Sequence, residues 1–513
     1  MFVSAPVIHH GKSNNALSSG LTETPGYGMK HHMIRRSLAL LCALLVAATF
    51  TSGIHAAGAI AGSTAADFPM YLGNLARTNY AGAEATLTPQ NVGTITPRWQ
   101  TAPGSPVSAQ PVIWHSDVFW GAWDGYERAT TTSGRSVWST YLGQTDTPRP
   151  CPSKRLGIAS TSAVATFTIN RRPTPILFVG GGDAKLYALD AITGEVVWSK
   201  RLGPKGSSFI WSSPAVFDGN VYIGLASVGD CPLIGGKVFE IGPRRGIVSH
   251  VFDTTPTGCI GAGVWGSVTV DVQRQRLYFA TGNANSCGKR TLGESIVELQ
   301  AGSLALVGSW TVPLTQQFWD TDFGSTPTLF TAHTAKGDIP MVGVVNKNGI
   351  YYAFRRDDLG AGPVWQLKIG VGGSRPDLGT GDISPAAWNG STLFVGGGVT
   401  TISGAKCPGS LRALNPVTGA IIWQDCLPGH VLGAPVVTNA LVEIGAGASV
   451  LVVSSTTGAI LFHHTEPNAT FWGSASISNG TFYIGNMSGH LYFVAAANWT
   501  AGKTASDRRI RSW

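Results

Sequence analysis

The sequence predicts an all-β fold, built as a closed ring of eight four-stranded units. Three observations lead there: a composition poor in charge and rich in glycine, an internal repeat, and an N-terminal segment able to complete the last unit. Charged residues make up 12% of the 513-residue chain and hydrophobic residues 43%, with 66 glycines, 29 prolines and 16 tryptophans. Long solvated helices need more charge and far less glycine, which excludes a coiled coil, a Lys/Glu-rich helical protein and a disordered chain. A large β protein with many tight turns remains.

The repeat has three parts. The most distinctive is Ala188-Leu-Asp-Ala-Ile-Thr-Gly-Glu-Val-Val-Trp198, which returns with substitutions from Ala413 to Trp423. Each copy reads as an alternating strand, a turn at Thr-Gly, and a β-branched strand whose final Trp docks on the neighbouring unit. Weaker copies end at Trp138, Trp365 and Phe462, and Ser133-Gly134 and Thr457-Gly458 keep the turn. Upstream of each turn lies an apolar strand, a Gly or Asn turn and a strand with aromatics, as in Leu177 to Leu189 and Val342 to Phe354. Further upstream, a strand of small residues opens each unit, as in Ser212-Ser-Pro214, Trp265-Gly-Ser267, Gly324-Ser-Thr-Pro327 and Trp472-Gly-Ser474. The units begin near residues 107, 159, 212, 265, 324, 384, 433 and 472. The eighth lacks an outermost strand, and Thr96-Pro-Arg-Trp99-Gln-Thr is suited to supply it. Closure of this kind leaves no exposed sheet edge. Seven units stand as the alternative if one weak copy is not a repeat. The length therefore describes one domain rather than three, over residues 58–502.

The net charge of +8 sits mainly outside the ring. Residues 1–57 carry Lys12, Lys30, Arg35 and Arg36 against Glu23, and the basic tail 503–513 carries Lys503, Arg508, Arg509 and Arg511 against Asp507. No basic stripe with interleaved aromatics stands out, which excludes nucleic acid as the expected partner. Lys30, Arg35 and Arg36 precede an apolar run, Leu38 to Phe50, too short to span a bilayer. With the small residues after it, this reads as a secretory leader, cleaved near Ala57 or Ala59, with an upstream extension and with Met29 or Met33 as alternative starts. Arg35-Arg36 fits a twin-arginine signal and equally an ordinary basic n-region. The expected location is periplasmic or secreted, with no transmembrane segment in the mature chain.

Beyond Cys42 in the apolar run, six cysteines remain: Cys151, Cys231, Cys259, Cys287, Cys407 and Cys426. An even count in an exported chain predicts disulfides. Cys231 with Cys259 and Cys407 with Cys426 are the preferred pairs, because each brackets one repeat. No Cys-x-x-Cys-His occurs, so no covalent c-type haem is expected.

The Ala-x-Asp-x-x-Thr-Gly-x-x-x-Trp pattern at 188–198 resembles the tryptophan-docking motif of quinoprotein alcohol dehydrogenases, and Phe68 to Tyr80 with Leu87 to Val92 is similar to the start of such propellers. The polyvinyl-alcohol dehydrogenase-type subgroup is the nearest in pattern. The resemblance implies an eight-bladed β-propeller over about residues 68–497. It also implies pyrroloquinoline quinone and Ca²⁺ as cofactors, an alcohol, small or polymeric, as substrate, and a separate cytochrome c or other electron acceptor. The motif marks the fold more than the activity, since outer-membrane assembly lipoproteins keep the same blades without catalysis.

A tricarboxylate ortho-quinone needs cations, a flat stacking surface and oxygen donors for a hard metal. By the resemblance, Arg155 in Cys151-Pro-Ser-Lys-Arg155 binds quinone and carboxylate oxygens, Lys347 contacts the quinone oxygens, and Trp265 is the stacking surface. Asn283 in Phe279-Ala-Thr-Gly-Asn283 is a metal ligand, joined by Asp322 and by Asp230, whose family counterpart is usually Glu and lies within a residue of this position. In Phe318-Trp-Asp320-Thr-Asp322-Phe-Gly324, Asp322 is the first choice for the general base and Asp320 the second. Without the resemblance, Arg155 reads as a surface loop arginine, Lys347 as an exposed hairpin residue and Trp265 as channel filling like Trp472. The chain departs from the family in having Cys151 where many members have adjacent cysteines. The rival readings are a binding or assembly propeller of the cell envelope and, more remotely, a sugar binder.

Overall fold

The computed structural model describes residues 67–169, 171–284, 286–287 and 291–496. The expected leader, its extension and the basic tail lie outside them. The repeat units fold as eight antiparallel sheets in chain order, each with a four-stranded core. Blade 1 comprises Val112–Trp114, Asp117–Gly121, Tyr126–Thr131 and Ser136–Tyr141. Blade 4 comprises Thr269–Asp271, Arg276–Ala280, Ser295–Gln300 and Leu306–Thr311, and blade 5 runs from Thr328–Thr334 to Trp365–Lys368. Blade 8 is completed from the N-terminus, as expected, by Ile95–Thr101 pairing antiparallel with Leu491–Ala496. The count of seven is thereby excluded.

The repeated Trp and Thr-Gly turn have one shared purpose. Trp138 donates its indole N–H to Ala191 O at 3.0 Å, Trp198 to Pro243 O at 2.8 Å, Trp365 to Pro416 O at 3.1 Å and Trp423 to Ser455 O at 3.1 Å. Each outermost strand thus docks on the turn of the next blade. Gly194 shows why the turn needs glycine: its φ is +75°, and a Cβ there would lie 2.5 Å from the Trp138 ring. Apolar faces close between neighbouring blades, as where Val112, Phe119 and Trp138 of blade 1 pack with Val164, Leu177 and Leu189 of blade 2. Burial between adjacent sheets is the main stabilising contribution.

Ahead of the ring, the segment from Phe68 winds across the inner strands in blade order. Phe68 pairs with Ile113, Pro69 O accepts from Val164 N, Leu75 O from Val270 N, Ala76 O from Leu329 N, Thr78 O from Trp388 N and Asn79 O from Val437 N. Arg77, fully buried, donates to Val268 O, Tyr71 O and Pro214 O. Each of these backbone contacts with the ring falls on the second residue of an inner strand, from Ile113 in blade 1 to Val437 in blade 7.

The disulfides are Cys151–Cys231, Cys259–Cys287 and Cys407–Cys426. The third is as expected, but Cys231 and Cys259 are not partners. Side-by-side stacking brings the connection into one blade against a loop of another, so the nearest cysteine lies across a blade boundary rather than within one repeat.

Candidate functional site

Blade 5 supplies the charged centre. Asn346-Lys347-Asn348-Gly349 turns tightly: Asn346 Oδ1 accepts from Asn348 N at 2.8 Å, Asn348 Oδ1 from Ile350 N at 3.0 Å, and Gly349 has φ +78°. This hairpin grips the segment before the blade, Asn346 Nδ2 donating to Thr321 O at 2.9 Å and Lys347 N to Asp322 O at 2.9 Å. With Phe323 fully buried as an anchor, Asp320 and Asp322 both reach the Lys347 side chain. Lys347 Nζ lies 3.0 and 3.1 Å from the two Asp320 oxygens and 2.9 Å from Asp322 Oδ2. Lys347 is therefore buried, with 7% of its surface exposed, and not an exposed hairpin residue.

The triad holds two carboxylates against one ammonium. Burial works against the Lys347 charge, but Asp322 and Asp320 outweigh it and hold the pKa above the ordinary value. Burial, followed by the Asp322 charge, pushes Asp320 up to about 6, with Lys347 pulling the other way.

Blade 4 supplies the wall. Trp265 places its ring 5.4 Å from Lys347 Nζ, close enough for a cation–π contact. A Cβ on Gly324 would lie 2.2 Å from that ring, so only glycine lets blade 5 approach it. Asn283 N donates to Asp322 Oδ1 at 2.5 Å, and Asn283 Nδ2 lies 3.4 Å from Trp319 O. A cavity of about 200 Å³ is lined by Trp265, Asn283, Asp322, Lys347 and Asp230. Gly229, Gly261, Gly263 and Gly282 keep its walls free of side chains, while Trp211, Val228 and Leu233 add an apolar side.

Five of the seven anticipated residues thus line one cavity, and Asp320 stands behind them on Lys347. Arg155 does not join them: it is exposed, and its Nε donates to Gln144 Oε1 at 3.1 Å. Lys154 lines the cavity instead. Both lysine and arginine are exposed, but Lys154, just before the strand Arg155–Leu156, reaches over Gly229 at the cavity rim while Arg155 turns to Gln144.

Two comparisons bear on this geometry. The family described as outer membrane protein assembly factor BamB matches residues 129–293 and 353–511, and that described as glucose/ethanol/alcohol dehydrogenase β-propeller domain matches 252–369, the stretch from Trp265 to Lys347 included. The chain belongs to the quinoprotein alcohol dehydrogenase-like family of eight-bladed β-propellers. Within it, the quinohemoprotein alcohol dehydrogenase of Comamonas testosteroni is 29% identical over 210 residues, 35% of this chain and 28% of that protein, so the match spans under a third of the relative's length. Its crystal structure superposes with a TM-score of 0.67 at 17% identity, covering 85% of this chain and 81% of that one. A europium-containing methanol dehydrogenase gives 0.65 at 14% identity, covering 84% and 98%. BamB from Moraxella catarrhalis gives 0.50 at 14% identity, covering 78% and 99%. These superpositions share the family's blade architecture.

Residue-by-residue reading of the family pattern missed three groups. Trp211, whose indole donates to Ser227 O at 3.1 Å, occupies in blade 3 the position of Trp265 in blade 4, and that parallel was visible in the repeat. Lys154 was hidden by its neighbour. Glu294 has no motif: it accepts from Ala284 N at 3.2 Å, and burial, with the Asp322 charge adding to it, pushes it up to about 7.

Proposed function

We propose that the chain is an exported dehydrogenase that oxidises an alcohol with pyrroloquinoline quinone and a hard cation, Ca²⁺ being the first choice, held in the cavity between blades 3, 4 and 5. The observation that carries this is the convergence of Trp265, Asn283, Asp322 and Lys347 on one cavity.

The residues fit both groups. For a flat polyanion there is an indole wall bared by glycines, with Lys154 and Lys347 as cations. For a hard cation there are oxygen donors only, from Asp230, Asn283 and Asp322, and the Asp320–Lys347–Asp322 triad leaves one negative charge uncompensated. Bound there, the quinone supplies a two-electron acceptor for the hydride of the carbinol carbon, and the cation a Lewis acid. Asp322 takes the hydroxyl proton, because it is the carboxylate that faces the cavity. Lys347 orients Asp322 and keeps Asp320 from competing for that proton, and Trp265 fixes the plane of the bound ring. The product is an aldehyde or ketone, and the electrons pass to a separate acceptor such as a cytochrome c.

Three disulfides support an oxidising compartment, periplasmic or secreted. Among the described residues no helix is long and apolar enough to cross a membrane. Substrate choice, polymeric in the polyvinyl-alcohol dehydrogenase-type reading, falls to the loops 371–383 and 400–410. The BamB family match favours a second reading, a non-catalytic envelope scaffold.

Reconstitution separates the two. Protein stripped with chelator is titrated with pyrroloquinoline quinone and CaCl₂, then assayed for dye reduction with ethanol, longer primary alcohols and polyvinyl alcohol. Saturable binding and alcohol-dependent reduction are expected. No saturable binding overturns the dehydrogenase reading in favour of the scaffold.

A further inference from the structure

Lys347 is engaged by Asp320 and Asp322, and Arg155 faces Gln144. Lys154 is the cavity's other cation, and no salt bridge among the described residues engages it. Its Nζ lies 2.7 Å from where a Cβ of Gly229 would be, over the loop that carries Asp230 and Cys231.

Lys154 stands on a short hairpin between blades 1 and 2. Two ladder pairs join its strands, Thr145 with Leu156 and Asp146 with Arg155, and Thr147 adds bonds toward the tip, its N donating to Lys154 O at 3.3 Å and its hydroxyl to Pro152 O. Thr147 closes the tip by accepting from Lys154 N at 2.9 Å. The hairpin's base is anchored by Leu156, packed with Phe209 and Val228. Its tip is tied by Cys151–Cys231 to the blade 3 loop that carries Val228, Gly229, Asp230 and Leu233, all on the cavity wall. A hairpin with two ladder pairs and a few bonds at its tip is marginal by itself in water. A covalent tie between its tip and the opposite wall confines both.

We propose that Cys151 and Cys231 are positioning residues for ligand binding: their disulfide holds the hairpin so that Lys154 meets an anionic group, a carboxylate of a planar ligand, at the rim of the cavity. This rests on the cavity being the quinone site, and it gives Cys151 a role in a chain that lacks an adjacent cysteine. Confining Lys154 beforehand removes an ordering cost that binding would otherwise carry.

The test is a binding cycle on the full chain, with pyrroloquinoline quinone and CaCl₂ as probe and tryptophan fluorescence quenching as readout. Lys154→Met is expected to weaken binding about tenfold, the loss of one charge-assisted contact. The pair Cys151→Ala/Cys231→Ala is expected to weaken it by a similar factor, and the triple variant no further, because the disulfide acts through Lys154. Added NaCl should weaken wild-type binding more steeply than that of either variant. Additive losses in the triple variant overturn the proposal, as does wild-type affinity in Lys154→Met. If Cys151→Ala/Cys231→Ala does not fold, Lys154→Met against Arg155→Met decides: Arg155→Met is expected to bind as wild type, and equal losses in both overturn the assignment. Absence of binding by the wild type strikes the quinone reading itself, whereas binding that ignores Lys154 strikes this inference alone.

Discussion

Blades 4 and 8 open on the same three residues. Trp265-Gly266-Ser267 opens blade 4 as Trp472-Gly473-Ser474 opens blade 8, and by strand register Gly282-Asn283 of blade 4 answers to Met487-Ser488 of blade 8. The outcomes differ because each blade meets a different neighbour. Next to blade 4 stand Asp320 and Asp322, and Asp322 Oδ1 lies 3.2 Å from where a Gly282 Cβ would be. Next to blade 8 the ring returns to blade 1, and Val107 packs there, its Cγ1 2.4 Å from where a Gly485 Cβ would be. Asn283 donates its backbone N–H to a carboxylate, while at the matching place in blade 8 Ser488 donates its hydroxyl to Asn468 O at 2.9 Å. One motif becomes the wall of a charged cavity and the other a packed seam. The site is a property of a pair of blades, not of a repeat.

The strongest way to break this distinction is Asp322→Asn, which takes from blade 4 what blade 8 never had. Dye reduction by the reconstituted protein is expected to fall about 10²- to 10⁴-fold, with quinone binding changed far less. Retained turnover would move the proton-accepting role to Asp320. Next comes Lys347→Met, which leaves two buried carboxylates without their cation. It should destabilise the fold by about 3–5 kcal/mol in denaturant unfolding, and Asp320→Asn in the same chain should recover part of that loss. A third experiment sets Trp265→Leu against Trp472→Leu. Quinone affinity is expected to fall about tenfold or more in the first and to stay at the wild-type value in the second. Equal losses would mean that the two tryptophans share a structural purpose.

A fourth experiment concerns a carboxylate away from the cavity. Glu443 of blade 7 is buried, neither oxygen has a hydrogen-bond partner among the described residues, and burial pushes it up to about 8 from its ordinary 4.5. The folded state therefore holds its proton more tightly than the unfolded chain. Stability from this group is fully present below pH 4.5 and is lost as pH rises through 8, by about 1 kcal/mol per pH unit in between. Glu443→Gln should flatten that slope in urea unfolding between pH 5 and 8. At the triad, by contrast, Lys347 supplies the countercharge that Glu443 lacks.

The ring was legible because its signals are local. Each Thr-Gly turn and its Trp sit within eleven residues, as at Ala188 to Trp198, and the small-residue openings recur in step. The closure by Ile95–Thr101 was legible for the same reason, since the outermost strand missing from blade 8 stood near the N-terminus. The cavity was legible only through the family's pattern of residue types. Trp265, Asn283, Asp322 and Lys347 are spread over more than eighty residues, and nothing in their spacing alone sets them face to face. Arg155 illustrates the limit: its neighbour Lys154 lines the cavity in its place, while Arg155 donates to Gln144. The Cys231 pairing failed for a related reason, because bracketing a repeat says nothing about loops that meet across blade boundaries.

Periodicity, turn chemistry and closure were thus set by the sequence alone, since each depends on interactions between near neighbours along the chain or on a pattern that repeats. Which cation faces inward, which cysteines meet, and whether Lys347 is solvated or buried between two carboxylates were decided by tertiary structure. These depend on how blades stack, where a displacement of one residue or one blade exchanges a packed seam for a charged cavity.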